Sequence, residues 1–231
     1  MGDLDWLTDE QMARSKPFFP LSRGVPRVND KRVLNGIILN NRNGLRWNQM
    51  GIFARILLEL LKQDAETEMI KIDVEPSQGP PDRIKPAQKR GSKRLIGQTR
   101  GGMNSKLHVV CDSRGRPSQI YLSAGQTSDY VGAAGLLRLM PRVNCLLADR
   151  GYDADWFRSA LIDMDITPCI PSRKNRKVQI LHDAVLYKKR HRIEIIFGRL
   201  KDWRRIAMRF DRRADIFLSA CALATIVMFW L

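Results

Sequence analysis

The sequence predicts an α/β fold: a mixed β-sheet flanked by helices, with a small, shortened helical region ahead of it. Three observations carry this. From residue 69 onward, short apolar runs bounded by turn residues alternate with longer runs of helical period. Two of the short runs flank Asp112-Ser113-Arg114-Gly115, as strands flank a hairpin turn. The 231 residues are 44% hydrophobic, which suits one domain with a sizeable core plus a small appendage and excludes a disordered tail.

In chain order, Thr8-x-x-Gln11 is a capping box for a short helix that Lys16-Pro17 ends. Residues 24–26 form a turn. Asn29 or Asp30 caps a second helix through Val33, Ile37 and Ile38, closing at Asn43-Gly44. Trp47 then runs almost directly into Gly51, which starts a helix to about residue 62. Two short helices with a basic turn suggest that residues 1–65 are a helical DNA-binding region. Residues 66–231 form the main domain. Residues 69–73 read as a strand. Residues 74–90 contain four prolines and little apolar content, so they read as an irregular loop. Residues 105–111 and 117–123 form the hairpin. Ser128 caps a helix over 129–139. A buried strand over 143–148 ends at Asp149. Then come a helix (153–164), a strand (166–170), a long basic helix (182–206) and an apolar terminal helix. This order is that of an RNase H-like core.

Lys and Arg number 40 against 24 acidic residues, a net charge of +16. Residues 172–213 hold 15 of the basic residues, and 83–106 hold eight with no acid. A polyanion is the simplest partner for such an excess, and nucleic acid the simplest polyanion. Cys111, Cys145, Cys169 and Cys221 form no CxxC pair and sit in apolar runs, as buried free thiols of a reducing cytoplasm do. The acidic, polar start is unlike a signal peptide. The apolar end spans about 16 residues, short of the ~20 that cross a bilayer, so it reads as a buried helix.

Tyr187, Arg190, Glu194 and Lys201 are spaced Tyr-x2-Arg-x3-Glu-x6-Lys. At ~100° per residue, Arg190, Glu194 and Lys201 fall within roughly 40° of one another on a helix, with Tyr187 about 20° beyond. A second stripe (Val185, Ile193, Ile196, Phe197, Leu200, Trp203) can face a core. Taken alone, this describes a basic amphipathic helix with an internal Arg190–Glu194 pair. Asp73 and Asp149 each follow a predicted strand, where a lone Asp is more often a turn residue. Together with Glu194 they would make an all-carboxylate set that favours Mg²⁺ or Mn²⁺. Trp156, Trp203 and Trp230 read as core. Gly198, inside a helix, suggests a close approach of DNA or another helix.

The Tyr187–Lys201 spacing resembles the Tyr-Arg-Glu-Lys signature of bacterial insertion-sequence DDE transposases. Asp149-Arg-Gly-Tyr-Asp153 resembles the motif at their second aspartate. Residues 95–108 and 198–205 are similar to the family's basic segment and to its segment after the glutamate. The likeness covers nearly the whole chain and is to the insertion-sequence-five group. It implies a cytoplasmic, nucleoid-associated bacterial enzyme that uses Mg²⁺ or Mn²⁺. Such an enzyme cleaves double-stranded DNA at transposon ends, joins the freed 3′-hydroxyl to target DNA and works as a homo-oligomer. Asp73, Asp149 and Glu194 would hold the metals. Tyr187, Arg190 and Lys201 would grip the terminal nucleotides, with Arg204 and Arg205 beside them.

Two departures stand out. The family has roughly two dozen residues between the positions of Trp47 and Gly51, so the end-recognition region here is shortened. Residues 74–90 replace the family's Thr and Lys-x-His-Arg element, as a compensated pair of frameshifts would. These departures keep two other readings open: an inactive transposase-derived DNA-binding repressor, and another RNase H-like nuclease.

Overall fold

A computed structural model of the chain describes residues 7–19, 30–43, 57, 68–78, 95–100, 102–129, 134, 135, 137, 140, 142–209, 211 and 213–231. The expected turn at 24–26, the junction at 47–51, nearly all of the helix after it, the segment 79–94 and most of the helix over 129–139 lie outside the described residues.

Helix α1 (Asp9–Ser15) begins where the capping box places it. The Thr8 hydroxyl accepts from the Gln11 N–H at 3.2 Å, and the Gln11 side chain accepts from the Thr8 N–H at 2.8 Å. A 3₁₀ turn containing Pro17 follows. Helix α2 (Asp30–Asn43) buries Leu34, Ile37 and Ile38 and leaves Val33 exposed. Leu34, Ile37 and Ile38 join Leu7 and Leu57 in one apolar cluster with Ile193, Phe197, Phe217 and Trp230. The core therefore runs across the boundary expected near residue 65.

The sheet comprises β1 (Met69–Gln78), β2 (Gly97–Thr99), β3 (Gly102–Cys111), β4 (Pro117–Ala124), β5 (Cys145–Ala148) and β6 (Thr167–Cys169). Its order is β4-β3-β1-β5-β6, with β2 also paired to β3. Pairs among β1 to β4 are antiparallel, while β1–β5 and β5–β6 are parallel. Alternation along each strand feeds two cores. Ile70, Ile72 and Val110 pack with Phe157 and Leu161 of α3 (Asp155–Ile162). Leu107 and Val109 face the opposite layer, made by α5 (His191–Lys201), α6 (Arg204–Ala207) and α7 (Ala214–Thr225). This is the mixed sheet with helices on both faces, in the strand order of an RNase H-like core.

Three expectations are corrected. First, β1 runs on through residues 74–78 instead of breaking into a loop. Its parallel neighbour ends at Ala148, opposite Ile72, so beyond that point β1 pairs only with β3 among the described residues. Pro76, which has no N–H to offer, is tolerated on such an edge. Second, the long helix over 182–206 is divided into α4 (Ala184–Lys188), α5 and α6. The Asp183 carboxylate caps α4, accepting from the N–H groups of Val185 and Leu186 at 2.8 Å each. At Lys189 and Arg190 the backbone tightens to three-residue hydrogen bonds before α5 restarts. Val185 consequently leaves the apolar stripe and is 75% exposed. Third, Trp156 is exposed, whereas Trp203 and Trp230 are buried as expected.

Helix α7 is buried along most of its length. Among the described residues no helix is long and apolar enough to cross a membrane. All four cysteines are free. Burial pushes the thiols of Cys111 and Cys221 up to about 12.

Candidate active site

The register of β1 and β5 builds the centre of the site. Ile72 pairs with Ala148 across the parallel ladder, so Asp73 and Asp149 follow side by side on neighbouring strands. Such strands run about 4.8 Å apart. The expected meeting of the two aspartates is therefore met by the topology. Asp73 lies on the face opposite Ile72, toward α5. Asp149 caps the 3₁₀ turn Arg150–Tyr152, accepting from the Gly151 N–H at 2.9 Å. Burial raises the pKa of both carboxyls. At Asp73 the Arg190 cation opposes this, and at Asp149 the Gly151 N–H does.

Arg190 stands between Asp73 and Glu194. Its guanidinium donates to Asp73 Oδ2 at 2.5 Å and to Glu194 Oε1 at 2.9 Å. Glu194 also meets His191 Nδ1 at 3.1 Å. The cation expected on DNA thus serves the carboxylates, and it lies 5.9 Å from the centre of the Tyr187 ring. Among the described residues no three His, Cys, Asp or Glu side chains stand close enough together to hold a metal ion. Arg190 bridges Asp73 and Glu194, and Asp149 lies beside Asp73 on the neighbouring strand end.

Lys201 pairs with Glu75, two residues beyond Asp73 on the same face of β1. Arg204 is exposed. Arg205 must be removed from the DNA-facing set. It is buried, and Asp211 holds its guanidinium through two hydrogen bonds of 2.7 Å. A buried, bidentate ion pair is part of the packing, with its donors committed inside the protein. At Gly198, nothing among the described residues would lie within 4 Å of an added Cβ.

Asp153, which closes the Asp149-Arg150-Gly151-Tyr152-Asp153 stretch, has a role that the sequence did not reveal. Its side chain is fully buried and accepts from Arg158 Nε at 2.8 Å, Arg176 Nη1 at 3.0 Å and the Arg173 N–H at 2.8 Å. Arg173 in turn donates to the carbonyls of Arg150 and Gly151 at 3.2 and 2.9 Å. The loop after β6 is thereby tied to the turn that presents Asp149. The excess of arginine at 173–176 is the available signal, but charge alone points to nucleic acid.

With this geometry in place, residues 70–229 match the family described as the transposase DDE domain. The match takes in well over half of the chain, and the chain belongs to that family. It is 36% identical over 130 residues to a protein assigned as transposase for insertion sequence element IS6501 of Brucella ovis, covering 56% of this chain and 99% of that one. It is 30% identical over 171 residues to a protein assigned as transposase for insertion sequence element IS402 of Burkholderia cepacia, covering 65% and 79%. Solved structures show distant likenesses. A synaptic complex of piggyBac transposase with hairpin DNA gives a TM-score of 0.48 at 10% identity, over 87% of this chain and 54% of that one. The Mos1 transposase paired-end complex with its left transposon end gives 0.31 at 15% identity, over 90% and 64%.

Proposed function

We propose that this chain is the DNA transposase of a bacterial insertion sequence of the insertion-sequence-five group, cleaving transposon ends and joining them to target DNA. The register that sets Asp73 beside Asp149, inside the span matched by the family, is the observation that carries this reading. Asp73, Asp149 and Glu194 would hold divalent metal, Mg²⁺ or Mn²⁺. The donor set fits: all three are carboxylates, which hard cations prefer. Burial raises the pKa of Asp73 and Asp149, an effect that a bound cation would oppose. A bound divalent ion would activate the attacking oxygen and stabilise the leaving one.

The protein's own residues supply the grip. Lys188, Lys189, Arg192, Arg199 and Arg204 are exposed along the same run as Tyr187 and Lys201. On this reading they lie along the phosphates of double-stranded terminal repeats, and two copies of the chain hold paired ends. A shortened region at 47–51 would weaken recognition of the ends more than the chemistry, because the strand carrying Asp73 is continuous.

The test is Mg²⁺-dependent cleavage of a duplex carrying the element's own terminal repeats, with EDTA as control. Salt-sensitive binding without cleavage would favour a repressor that only holds DNA. Cleavage of an RNA–DNA hybrid in preference to the duplex would favour a general nuclease. Lys201→Ala gives a separate check. Its partner is on the surface, so the variant should lose less than about 1 kcal/mol of stability in urea. Its affinity for the terminal duplex should fall, and the slope of log K against log salt should shrink by about one phosphate contact. Unchanged affinity would remove Lys201 from the interface.

A further inference from the structure

A fourth carboxylate reaches the same centre from another element. Asp129 lies just beyond β4, where the next helical stretch opens. Gly151 shows how near it comes to Asp149. A Cβ built on Gly151 would lie 2.9 Å from Asp129 Oδ2 and 2.9 Å from Asp149 Oδ1, closer than real Cβ atoms tolerate. Both oxygens therefore border the space that only glycine leaves open, and they lie within about twice that distance of each other. Their mutual repulsion helps to keep the Asp149 carboxyl raised, after burial itself.

Two further features surround this pair. Lys106 on β3 donates to Asp129 Oδ1 at 2.7 Å and to the Thr127 carbonyl at 2.6 Å, placing a cation on the outer side of the pair. The Tyr152 side chain is wholly buried, and its hydroxyl has no hydrogen-bond partner among the described residues. Burial raises its pKa most, and the charges of Asp73, Asp129 and Asp149 raise it further. A buried hydroxyl normally finds a partner.

We propose that Asp129 is a fourth carboxylate of the metal centre, sharing a divalent cation with Asp149 across Gly151, and that Lys106 competes with that cation for Asp129. The inference rests on the reading of Asp73, Asp149 and Glu194 as metal-holding residues. It assigns the glycine of the Asp149–Asp153 stretch a task as well: to leave room for two carboxylates to approach one ion.

The test is a titration of the full chain with Mn²⁺, following free Mn²⁺ by electron paramagnetic resonance, with Mg²⁺ as competitor. Asp129→Asn should weaken Mn²⁺ binding at least tenfold or lose one ion per chain. Lys106→Met should do the reverse and tighten binding, which a purely structural Lys106–Asp129 pair would not bring about. Circular dichroism melts of each variant show that it is folded, and Lys106→Met remains informative if Asp129→Asn is not. Wild-type affinity in both variants, with binding lost in Asp149→Asn, would overturn the role of Asp129 and leave the metal-holding trio standing. Wild-type affinity in Asp149→Asn too would overturn both.

Discussion

Asp149→Ala is expected to lower metal-dependent cleavage of a terminal-repeat duplex by at least about 10³-fold while leaving duplex binding nearly unchanged. A metal-polarised reaction draws several kcal/mol of transition-state stabilisation from its ion, and each ~1.4 kcal/mol is tenfold in rate. Asp149 is the carboxylate whose other obligations are smallest. Among the described residues, its side chain accepts one hydrogen bond, from the Gly151 N–H, a capping interaction whose loss costs about 1 kcal/mol. Asp73 is a poorer choice for the same experiment, because its removal also strips Arg190 of a partner. The exposed cations of α5 do not depend on Asp149, so salt-sensitive binding should persist. Cleavage at the wild-type rate in the variant would remove Asp149 from the chemistry. Loss of both cleavage and binding would point to misfolding, which a urea melt would reveal.

Asp153→Ala is expected to cost about 3–5 kcal/mol of stability, the usual consequence of removing one partner from a buried ion pair. Arg158 would be left buried and uncompensated, and Arg176 and the Arg173 N–H would lose an acceptor. The effect has a predictable pH dependence. Burial alone would raise the Asp153 carboxyl. The Arg173 N–H and the Arg158 and Arg176 guanidinium groups outweigh it and hold the pKa below the ordinary 3.8. A depressed folded-state pKa means that stability is present above the unfolded value and is lost as pH falls through the folded one. The gap between wild type and variant should therefore be constant above about pH 5 and narrow below about pH 4. Urea midpoints across that range would measure it. A gap independent of pH would mean that packing, not charge, is what Asp153 contributes. Because Arg173 also ties the loop to the Asp149 turn, the variant should cleave poorly even at temperatures where it remains folded.

Several features are legible in the sequence because each is encoded within a few residues. The Thr8–Gln11 box, the turn at Asp112–Gly115, the strand that ends at Asp149 and the apolar face Ile193–Ile196–Phe197–Leu200 all follow from local period and local hydrogen bonding. The stretch at 149–153 marks Asp149 as more than a turn residue. The proline-rich run misleads in part. Proline forbids a central strand, but residues 74–78 lie past the end of β5, where β1 is an edge. The basic segment at 182–206 reads as one continuous helix because its composition is uniformly compatible with helix. The break at Lys189 and Arg190 follows from no breaker residue in the sequence.

By itself, the sequence determined the order and character of most of the described elements, though not the strand Gly97–Thr99, the run of β1 through 74–78 or the break at Lys189 and Arg190, and it supplied the basic excess and the three acidic residues most worth testing. Those properties depend on neighbours along the chain. The i,i+4 pair Arg190–Glu194 was readable from spacing, but the tertiary structure alone decided the partners that lie far along the chain. Arg190 meets Asp73 across 117 positions, and Lys201 meets Glu75 across 126. Arg205 turned inward to Asp211, Asp153 became the anchor of a loop, and Asp129 arrived beside Asp149. A long charged side chain carries no local signal of the direction it will take, because the energy of its pairing is set by distance and burial, and both exist only once the chain has folded.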